Sequence, residues 1–251
     1  MGPSDQAYTD FGFEQVPVGE KSDRVRAVFD RVAVQYDAMN DCLSLGLHRL
    51  WKKSAIHMGS VSAGDCVLDL AAGSGDLTQQ WARAVGESGH VCMTDINADM
   101  LRVGTDRLLD TGVWSNVSAM QVDAEALPFE PNAFDCISIS FGLRNMTRHE
   151  SVLSEAYRVL KPGGRLVILE FSHPQDPLIQ KLYDVYSFEI VPRLGAWLVE
   201  DEASYRYLVE SIRKHPHREA LREKILHAGF DGCEVLALSF GIVAIHCGVK
   251  F

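Results

Sequence analysis

The sequence predicts an α/β fold in which a mostly parallel, seven-stranded sheet carries helices on both faces and ends in an antiparallel C-terminal strand. Three observations lead to this prediction. Short apolar runs alternate with amphipathic stretches between residues 66 and 171, the first run stops at a glycine-rich turn, and the last two runs are joined by the tight turn Ser239-Phe240-Gly241. Such alternation sets neighbouring strands in parallel and packs the connecting helices against the sheet.

The central elements follow from this alternation. We predict strands over 66–70, 90–95, 116–123, 134–141 and 165–171, and helices over 76–85, 98–110 and 148–160. Asn97 is suited to cap the second of these helices, because its side chain can accept hydrogen bonds from the first turn. Lys161-Pro162-Gly163-Gly164 is expected to end the third helix. The final strands, 233–239 and 241–250, are expected to pair antiparallel.

The segments outside this core differ in character. Residues 1–20 are polar with scattered glycine and proline, which predicts a flexible N-terminal arm. Residues 21–58 are predicted to form a helical cap, with a second helix over 47–58. Its first helix carries apolar residues at helical spacing: Val25, Val28, Phe29, Val32 and Tyr36. The stretch 177–214 is predicted as a helical insertion, and residues 21–251 as a single domain. The aromatic part of the insertion, 177–199, is expected to cover a substrate, with packing into the core as the alternative.

Composition limits the classes of partner and site. The formal net charge is −10, which repels phosphate backbones, so no nucleic-acid partner is expected. The six cysteines form no C-x-x-C pair and are expected to be reduced core residues. There is no signal-like N-terminus and no apolar run of about 18 residues, so we expect a cytoplasmic location. His215 and His217 flank a proline in a polar loop, and no metal site is expected.

The glycine-rich turn is the first candidate site. Asp69-Leu70-Ala71-Ala72-Gly73-Ser74-Gly75-Asp76 follows a strand and precedes a helix, and its glycines let backbone approach a ligand closely. Asp95 ends the next strand, where a carboxylate can accept hydrogen bonds from ribose hydroxyls. Together these residues indicate an adenine-nucleoside cofactor, with Asp69, Gly73 and Gly75 as candidate contacts. A tight strand-to-helix turn without a ligand remains the alternative.

Three features favour S-adenosylmethionine over a nicotinamide dinucleotide. The glycines do not match G-x-G-x-x-G, and no arginine or lysine is placed to meet a pyrophosphate. Asp123-Ala124 closes the third strand, where a carboxylate can meet an adenine edge. The stretch 158–164 resembles the helix-to-strand turn of class I methyltransferases, although it also serves simply as a helix stop.

Longer segments carry a closer resemblance. They read VFDRVAVQYDAMND and LGLHRLWKK within 24–53, then DLAAGSGDLT, DAEALPF, ISFGLRN, YRVLKPGGRLVILEFS, DVYSFEIVPRLG, SYRYLVESIR and GVKF. With these segments the chain resembles, over nearly its whole length, the ubiquinone/menaquinone biosynthesis C-methyltransferases. The resemblance implies a Rossmann-like class I methyltransferase. Its expected reaction transfers a methyl group from S-adenosylmethionine, leaving S-adenosylhomocysteine, to a ring carbon of 2-polyprenyl-6-methoxy-1,4-benzoquinol, demethylmenaquinol or both.

The resemblance also implies roles for individual residues. At the cofactor it implies Ser74 in the turn, Asp95 at the ribose, Asp123 and Ala124 at the adenine, and Ser140 at the end of the fourth strand. Three positions depart from the common pattern: Ala71 replaces a glycine, Asp123 an asparagine and His173 a lysine. No role is assigned to His173.

The resemblance makes Arg144 the main catalytic candidate. Arginine stays protonated in proteins and makes a poor base, so Arg144 is expected to stabilise the developing phenolate or to orient a water molecule that takes the proton. Asn145 is a candidate for holding a ring oxygen. Tyr36, with Asp37, is a weaker candidate for a lid, with core packing as the alternative. Two other classes stay open: methylation at oxygen or nitrogen, and nicotinamide-dependent oxidoreduction.

A prenylated substrate raises the question of membrane contact. The window Lys21–Lys53 is net positive. It sets Leu45, Leu47, Leu50 and Trp51 beside His48, Arg49, Lys52 and Lys53, which suits a peripheral contact at the inner face of the membrane. The alternative is that these apolar side chains pack into the core. A complex of quinone-biosynthesis proteins and a homodimer are left open.

Overall fold

The computed structural model describes residues 7–32, 40–41, 44, 46–191 and 202–251. The strands are β1 Tyr8–Phe11, β2 Glu14–Pro17, β3 Cys66–Leu70, β4 His90–Asp95, β5 Val117–Gln121, β6 Phe134–Ser140, β7 Leu160–Phe171, β8 Gly232–Leu238 and β9 Val243–Val249. The helices are α1 Val18–Val32, α2 Leu47–Gly59, α3 Asp76–Val85, α4 Ala98–Asp110, α5 His149–Val159, α6 Pro177–Val185, α7 Glu202–Lys214 and α8 Arg218–His227. A π-helical turn, Tyr186–Ile190, continues α6.

The strands β3 to β9 form one seven-stranded sheet in the order β5-β4-β3-β6-β7-β9-β8. β9 is antiparallel to β7 and β8, and the other neighbouring pairs are parallel. The predicted sheet, with its antiparallel C-terminal strand, is therefore confirmed. The order steps outward from β3 in both directions, so ligands are expected where the carboxyl ends of β3 and β6 diverge.

Alternation along the strands builds one core layer on each face. In β3, Leu68 and Leu70 pack with side chains of α5 and α8, whereas Val67 packs with side chains of α2, α3 and α4. Side chains of a strand point alternately to the two faces, so a continuous apolar run is what a doubly covered sheet requires. Asn97 caps α4 as predicted, since its Oδ1 accepts from the backbone N–H groups of Asp99 and Met100.

The prediction of a flexible N-terminal arm over residues 1–20 is wrong for residues 8–20, which are ordered into regular secondary structure apart from the turn of the hairpin. Residues 8–17 form the antiparallel hairpin β1–β2, and α1 begins at Val18. Tertiary contacts hold the hairpin. The Phe11 ring stacks on Tyr207 at 4.3 Å between centroids, the Phe13 N–H donates to Glu210 Oε2 at 3.0 Å, and Val16 is fully buried.

Strand β7 begins earlier than predicted, at Leu160 instead of residue 165. Leu160 pairs with Phe134, and the register then shifts so that Arg165 pairs with Cys136. The Gly163 N–H donates to the carbonyl of Lys250 at 2.6 Å, and Gly163 has a φ of +84°. The turn that ends α5 is thus absorbed into the sheet as an irregularity.

Candidate active site

Two cavities open near the carboxyl ends of β3, β4 and β6. The polar cavity, about 330 Å³, is lined among others by Gly73, Asp95, Asp123, Ala124, Ser140 and Asn145. The apolar cavity, about 370 Å³, is lined among others by Trp51, Arg144, Ile179, Leu182, Tyr183 and Tyr207. Phe29 and Phe141 line both, so a shared aromatic wall lies between the cavities.

The turn after β3 brings backbone to the polar cavity. Gly73 and Gly75 have φ values of +57° and +73°, and Ala71 adopts a φ of +52° without being glycine. Helix α4 packs tightly against this turn, because a Cβ on Gly104 would lie 2.9 Å from the carbonyl oxygen of Gly73. Gly104 is a requirement that the sequence pattern did not reveal, since a glycine inside a helix gives no sign of what it contacts.

Asp95 lines the polar cavity at the end of β4. Its Oδ2 accepts from the Gly73 N–H and its Oδ1 from the Asn97 N–H, each at 2.9 Å. Burial raises the pKa of this carboxyl, and the backbone N–H groups partly oppose that rise. Asn97 in turn donates from Nδ2 to Asp30 Oδ1 at 2.7 Å, which ties α1 to this edge.

The adenine and fourth-strand candidates also line the polar cavity. Asp123 is exposed, and its Oδ1 accepts from the Glu125 N–H at 2.8 Å, which shapes the turn after β5. The Oγ of Ser140 is buried and has no hydrogen-bond partner among the described residues. A buried hydroxyl without a partner is costly, and here it lies at the edge of a cavity that a polar ligand can fill.

Three predicted cofactor contacts do not line either cavity. Asp69, Ser74 and Gly75 are not among the lining residues. Asp69 is fully buried and accepts from Thr78 Oγ1 and Ser138 Oγ, each at 2.6 Å, so it clamps α3 to β6. Burial raises its pKa to about 6, and the two hydroxyl donors limit that rise.

Arg144 lies in the wall of the apolar cavity with its side chain 4% exposed. Its Nη1 donates to Glu170 Oε1 at 2.9 Å and also to the carbonyl oxygen of Phe141. Its guanidinium carbon lies 5.4 Å from the centroid of the Phe171 ring. Glu170 was missed by the sequence analysis, because a glutamate near the end of an apolar strand looks like an ordinary strand end.

Asn145 and Tyr207 connect the cavities. Asn145 lines the polar cavity, Tyr207 lines the apolar one, and the Tyr207 hydroxyl donates to Asn145 Oδ1 at 2.9 Å. Burial raises the pKa of Tyr207. Tyr36 and Asp37, the proposed lid residues, lie outside the described residues.

Helix α2 buries part of its basic and aromatic side chains, whereas Arg49 and Lys53 are exposed. Trp51 is buried and donates from Nε1 to Ser239 Oγ at 2.9 Å. Lys52 is buried and pairs with Asp76 Oδ2 at 2.6 Å, and His48 is buried beside Asp41 at 2.7 Å. These three residues therefore cannot belong to an outward-facing membrane patch as the sequence suggested, although Leu47 and Leu50 are exposed. Leu45 lies outside the described residues.

The described part of the chain has neither a metal-ligand cluster nor a membrane-spanning helix. No group of three or more His, Cys, Asp or Glu side chains there is arranged to hold a metal ion. No helix there is both long and apolar enough to cross a bilayer.

Solved structures of low sequence identity share the fold. A S-adenosylmethionine-dependent methyltransferase from Aquifex aeolicus is 16% identical with a TM-score of 0.59, over 78% of this chain and 88% of that one. A chain from the complex between the Haloferax volcanii Trm112 methyltransferase activator and a putative methyltransferase is 18% identical with a TM-score of 0.65, over 90% and 97%. The Rossmann-like class I fold is thereby confirmed.

Sequence relatives are far closer. The ubiquinone/menaquinone biosynthesis C-methyltransferase UbiE of Hahella chejuensis is 53% identical over 242 residues, which cover 96% of this chain and 97% of that protein. The model of the ubiE/COQ5 methyltransferase family matches residues 18–250. This match includes the cap and the helical insertion as well as the cofactor-binding core. The chain therefore belongs to the ubiE/COQ5 methyltransferase family.

Proposed function

We propose that this chain, a C-methyltransferase of ubiquinone/menaquinone biosynthesis, methylates a ring carbon of a polyprenylated hydroquinone: 2-polyprenyl-6-methoxy-1,4-benzoquinol, demethylmenaquinol or both. The observation that carries the proposal is the meeting of the two cavities at Phe29 and Phe141. A polar cavity at the strand ends suits a nucleoside cofactor, and an apolar cavity whose wall includes the buried guanidinium of Arg144 suits a prenylated ring that develops negative charge.

The polar cavity fits S-adenosylmethionine. When bound, S-adenosylmethionine supplies an electrophilic methyl group on its sulfonium. The carboxylate of Asp95 would hold the ribose hydroxyls, and Asp123 and Ala124 would contact the adenine. The unpartnered Oγ of Ser140 would gain a hydrogen bond, and Gly73 presents backbone without a Cβ in the way. Asp69, Ser74 and Gly75 would act on this site indirectly, by shaping the turn.

In the apolar cavity, Arg144 would act on the ring. Its charge is fixed and nearly water-free, and such a charge stabilises a developing phenolate strongly because the surrounding dielectric is low. A more electron-rich ring carbon is the better nucleophile. Asn145, which lines the neighbouring polar cavity, would orient a ring oxygen. Both residues thus favour attack by carbon with the ring held in line with the methyl group.

The aromatic and aliphatic side chains of α6 would cover the ring and the first part of its tail. Ile179, Leu182 and Tyr183 line the apolar cavity. Burial raises the pKa of Tyr183 to about 12, so its hydroxyl stays neutral at the cavity wall. Covering the ring excludes water, which strengthens the electrostatic effect of Arg144.

The rim of the apolar cavity supports a peripheral contact with lipid, through which the insoluble tail would enter. Leu47 and Leu182 line the cavity and are 40% and 61% exposed. Beside them, Leu50 is 60% exposed, and Phe240, next to the lining residue Ser239, is 80% exposed. We define these four residues, Leu47, Leu50, Leu182 and Phe240, as the apolar rim. Exposed apolar groups beside a lipid-binding cavity suit a bilayer surface.

The experiment is transfer of a ¹³C-labelled methyl group to a short-tailed quinol kept under a reductant. The expected product carries the label on a ring carbon, which carbon NMR separates from a methoxy or an N-methyl group. Each of the two quinol classes is tested alone. Label on oxygen, or no transfer to either quinol, would refute the proposal.

A further inference from the structure

The buried pair formed by Arg144 and Glu170 is the observation behind a further inference. The Arg144 side chain is 4% exposed and that of Glu170 1%. Glu170 lies near the end of β7. Its Oε1 accepts a hydrogen bond from Arg144 Nη1 at 2.9 Å and another from the backbone N–H of Phe171 at 2.8 Å. Its Oε2 accepts from the backbone N–H of Arg144 at 3.3 Å. The carboxylate therefore forms hydrogen bonds with both the main chain and the side chain of Arg144.

These contacts leave part of the guanidinium without a hydrogen-bond partner among the described residues. Among the described residues, Nη1 is bonded to Glu170 and to the Phe141 carbonyl, Nε is buried without a partner, and Nη2 makes no hydrogen bond. A guanidinium is planar, with donors in a fixed fork. Fixing Nη1 therefore restricts the directions of the remaining donors, on a residue that lines the apolar cavity.

Glu170 also supplies the counter-charge. Arg144 also interacts electrostatically with Tyr183, Tyr207 and His215. Burial raises the pKa of both tyrosines and lowers that of His215, and burial lowers the pKa of the neighbouring His149 to about 4. At neutral pH these groups are uncharged. Among the described residues, Glu170 is the carboxylate that forms an ion pair with Arg144 and so offsets its charge.

We propose that Glu170 is a positioning residue for the methyl transfer: it holds the guanidinium of Arg144 in one orientation and sets how much of its charge the quinol experiences. This inference rests on the function proposed above. Glu170 is not among the residues lining either cavity, so it acts through Arg144 and not on the substrate directly.

The first test is Glu170→Gln, which removes the charge and keeps the shape. An amide cannot accept all three N–H donors, so the guanidinium loses its fixed direction. We expect kcat to fall about 10–100-fold, since a displacement of about 1 Å costs on that order, while KM for the quinol and the affinity for S-adenosylmethionine change less than about threefold. The matched control is Glu155→Gln, which breaks another Arg–Glu pair, with Arg158, outside both cavities.

The second readout is the pH profile of kcat. Without Glu170 the positive potential at the quinol oxygen rises, so the hydroxyl ionises more easily and the acidic limb moves to lower pH by about half a unit or more. A purely structural role would leave the profile in place. If Glu170→Gln does not fold, Glu170→Asp, which keeps the charge but withdraws it by one methylene, is expected to lower kcat with an unshifted profile.

The decisive comparison is non-additivity. Glu170→Gln in an Arg144→Met background is expected to cause no further fall in kcat, because the residue through which it acts is gone. Equal losses in both backgrounds, or a folded Glu170→Gln with kcat within twofold of the unaltered chain and an unmoved profile, would overturn the inference. Failure of the proposed function is a separate result, since the unaltered chain would then methylate neither quinol.

Discussion

The hydroxyl of Tyr207 donates a 2.9 Å hydrogen bond to Oδ1 of Asn145, and this contact links a residue of the apolar cavity to a residue of the polar one. Because the amide oxygen already accepts this bond, the NH₂ group of Asn145 is the part that can donate to a ligand. Tyr207 is held in turn by the ring of Phe11. The orientation of Asn145 therefore depends on α7 and on the N-terminal hairpin.

Tyr207→Phe tests this relationship. Removing the hydroxyl frees the amide to rotate and loses about 1 kcal/mol of hydrogen bonding, so we expect kcat to fall about five- to tenfold with little change in melting temperature. Steady-state kinetics of Tyr207→Phe, Asn145→Ala and the double variant provide the measurement. Additive losses would show that the two side chains act independently.

Asp95→Ala tests the polar cavity. The variant leaves ribose hydroxyls without an acceptor, and we expect S-adenosylmethionine to bind about 1–3 kcal/mol more weakly in calorimetric titration. Asp99→Ala is the control, because Asp99 is an exposed acid in the first turn of α4 that pairs with Arg102. Unchanged affinity in Asp95→Ala would remove this residue from the site.

Arg144→Ala tests the charge in the apolar cavity. If Arg144 stabilises the phenolate in the transition state, kcat should fall about 10²–10³-fold while the affinity for S-adenosylmethionine stays the same. Circular dichroism must show a folded variant. Turnover close to that of the unaltered chain would contradict the role assigned to Arg144.

Asp69 predicts a pH dependence of stability. Its folded pKa, about 6, is above the unfolded value of 3.8. A raised pKa contributes stability that is complete below about pH 3.8 and is lost as pH rises through about 6. We therefore expect Asp69→Asn to reduce the fall in the free energy of unfolding between pH 4 and 7 by about 1–3 kcal/mol. Urea titrations across this range measure it, and identical pH profiles for both proteins would refute it.

Phe240→Ser and Leu50→Ser test the apolar rim. Both side chains are exposed, so the fold should tolerate the change, while binding to anionic vesicles should weaken. Leu109→Ser is the matched control, because Leu109 is 52% exposed on α4, away from both cavities. Co-sedimentation that is equal for all three variants would exclude this rim as the lipid contact.

The sheet could be predicted from sequence because its strands are continuous apolar runs. Strands β3, Cys66–Leu70, and β4, His90–Asp95, have the predicted bounds. A strand that is buried on both faces is a continuous apolar run, and the ends of such a run mark the ends of the strand. The hairpin β1–β2 could not be predicted in this way. Its short strands are held by Tyr207 and Glu210, almost 200 residues away in the chain.

The candidate site shows the same division. Asp95 and Asp123 line the same cavity, as expected of residues at the carboxyl ends of neighbouring strands: Asp95 ends β4, and Asp123 follows β5 by two residues. Asp69 shows the limit of that argument, since the same turn motif gives no indication that its carboxylate points to Thr78 and Ser138. Lys52 illustrates a further limit, because a basic residue in a positive window looks solvated until its buried partner, Asp76, is seen.

The aromatic wall of Phe29 and Phe141 separates two cavities whose openings differ in polarity. The polar cavity is bordered by the exposed side chains of Arg26 and Asp123, whereas the apolar one is bordered by Leu47 and Leu182. In the function proposed above, the spent donor would therefore leave on the polar side, and the methylated quinol would leave past the apolar rim.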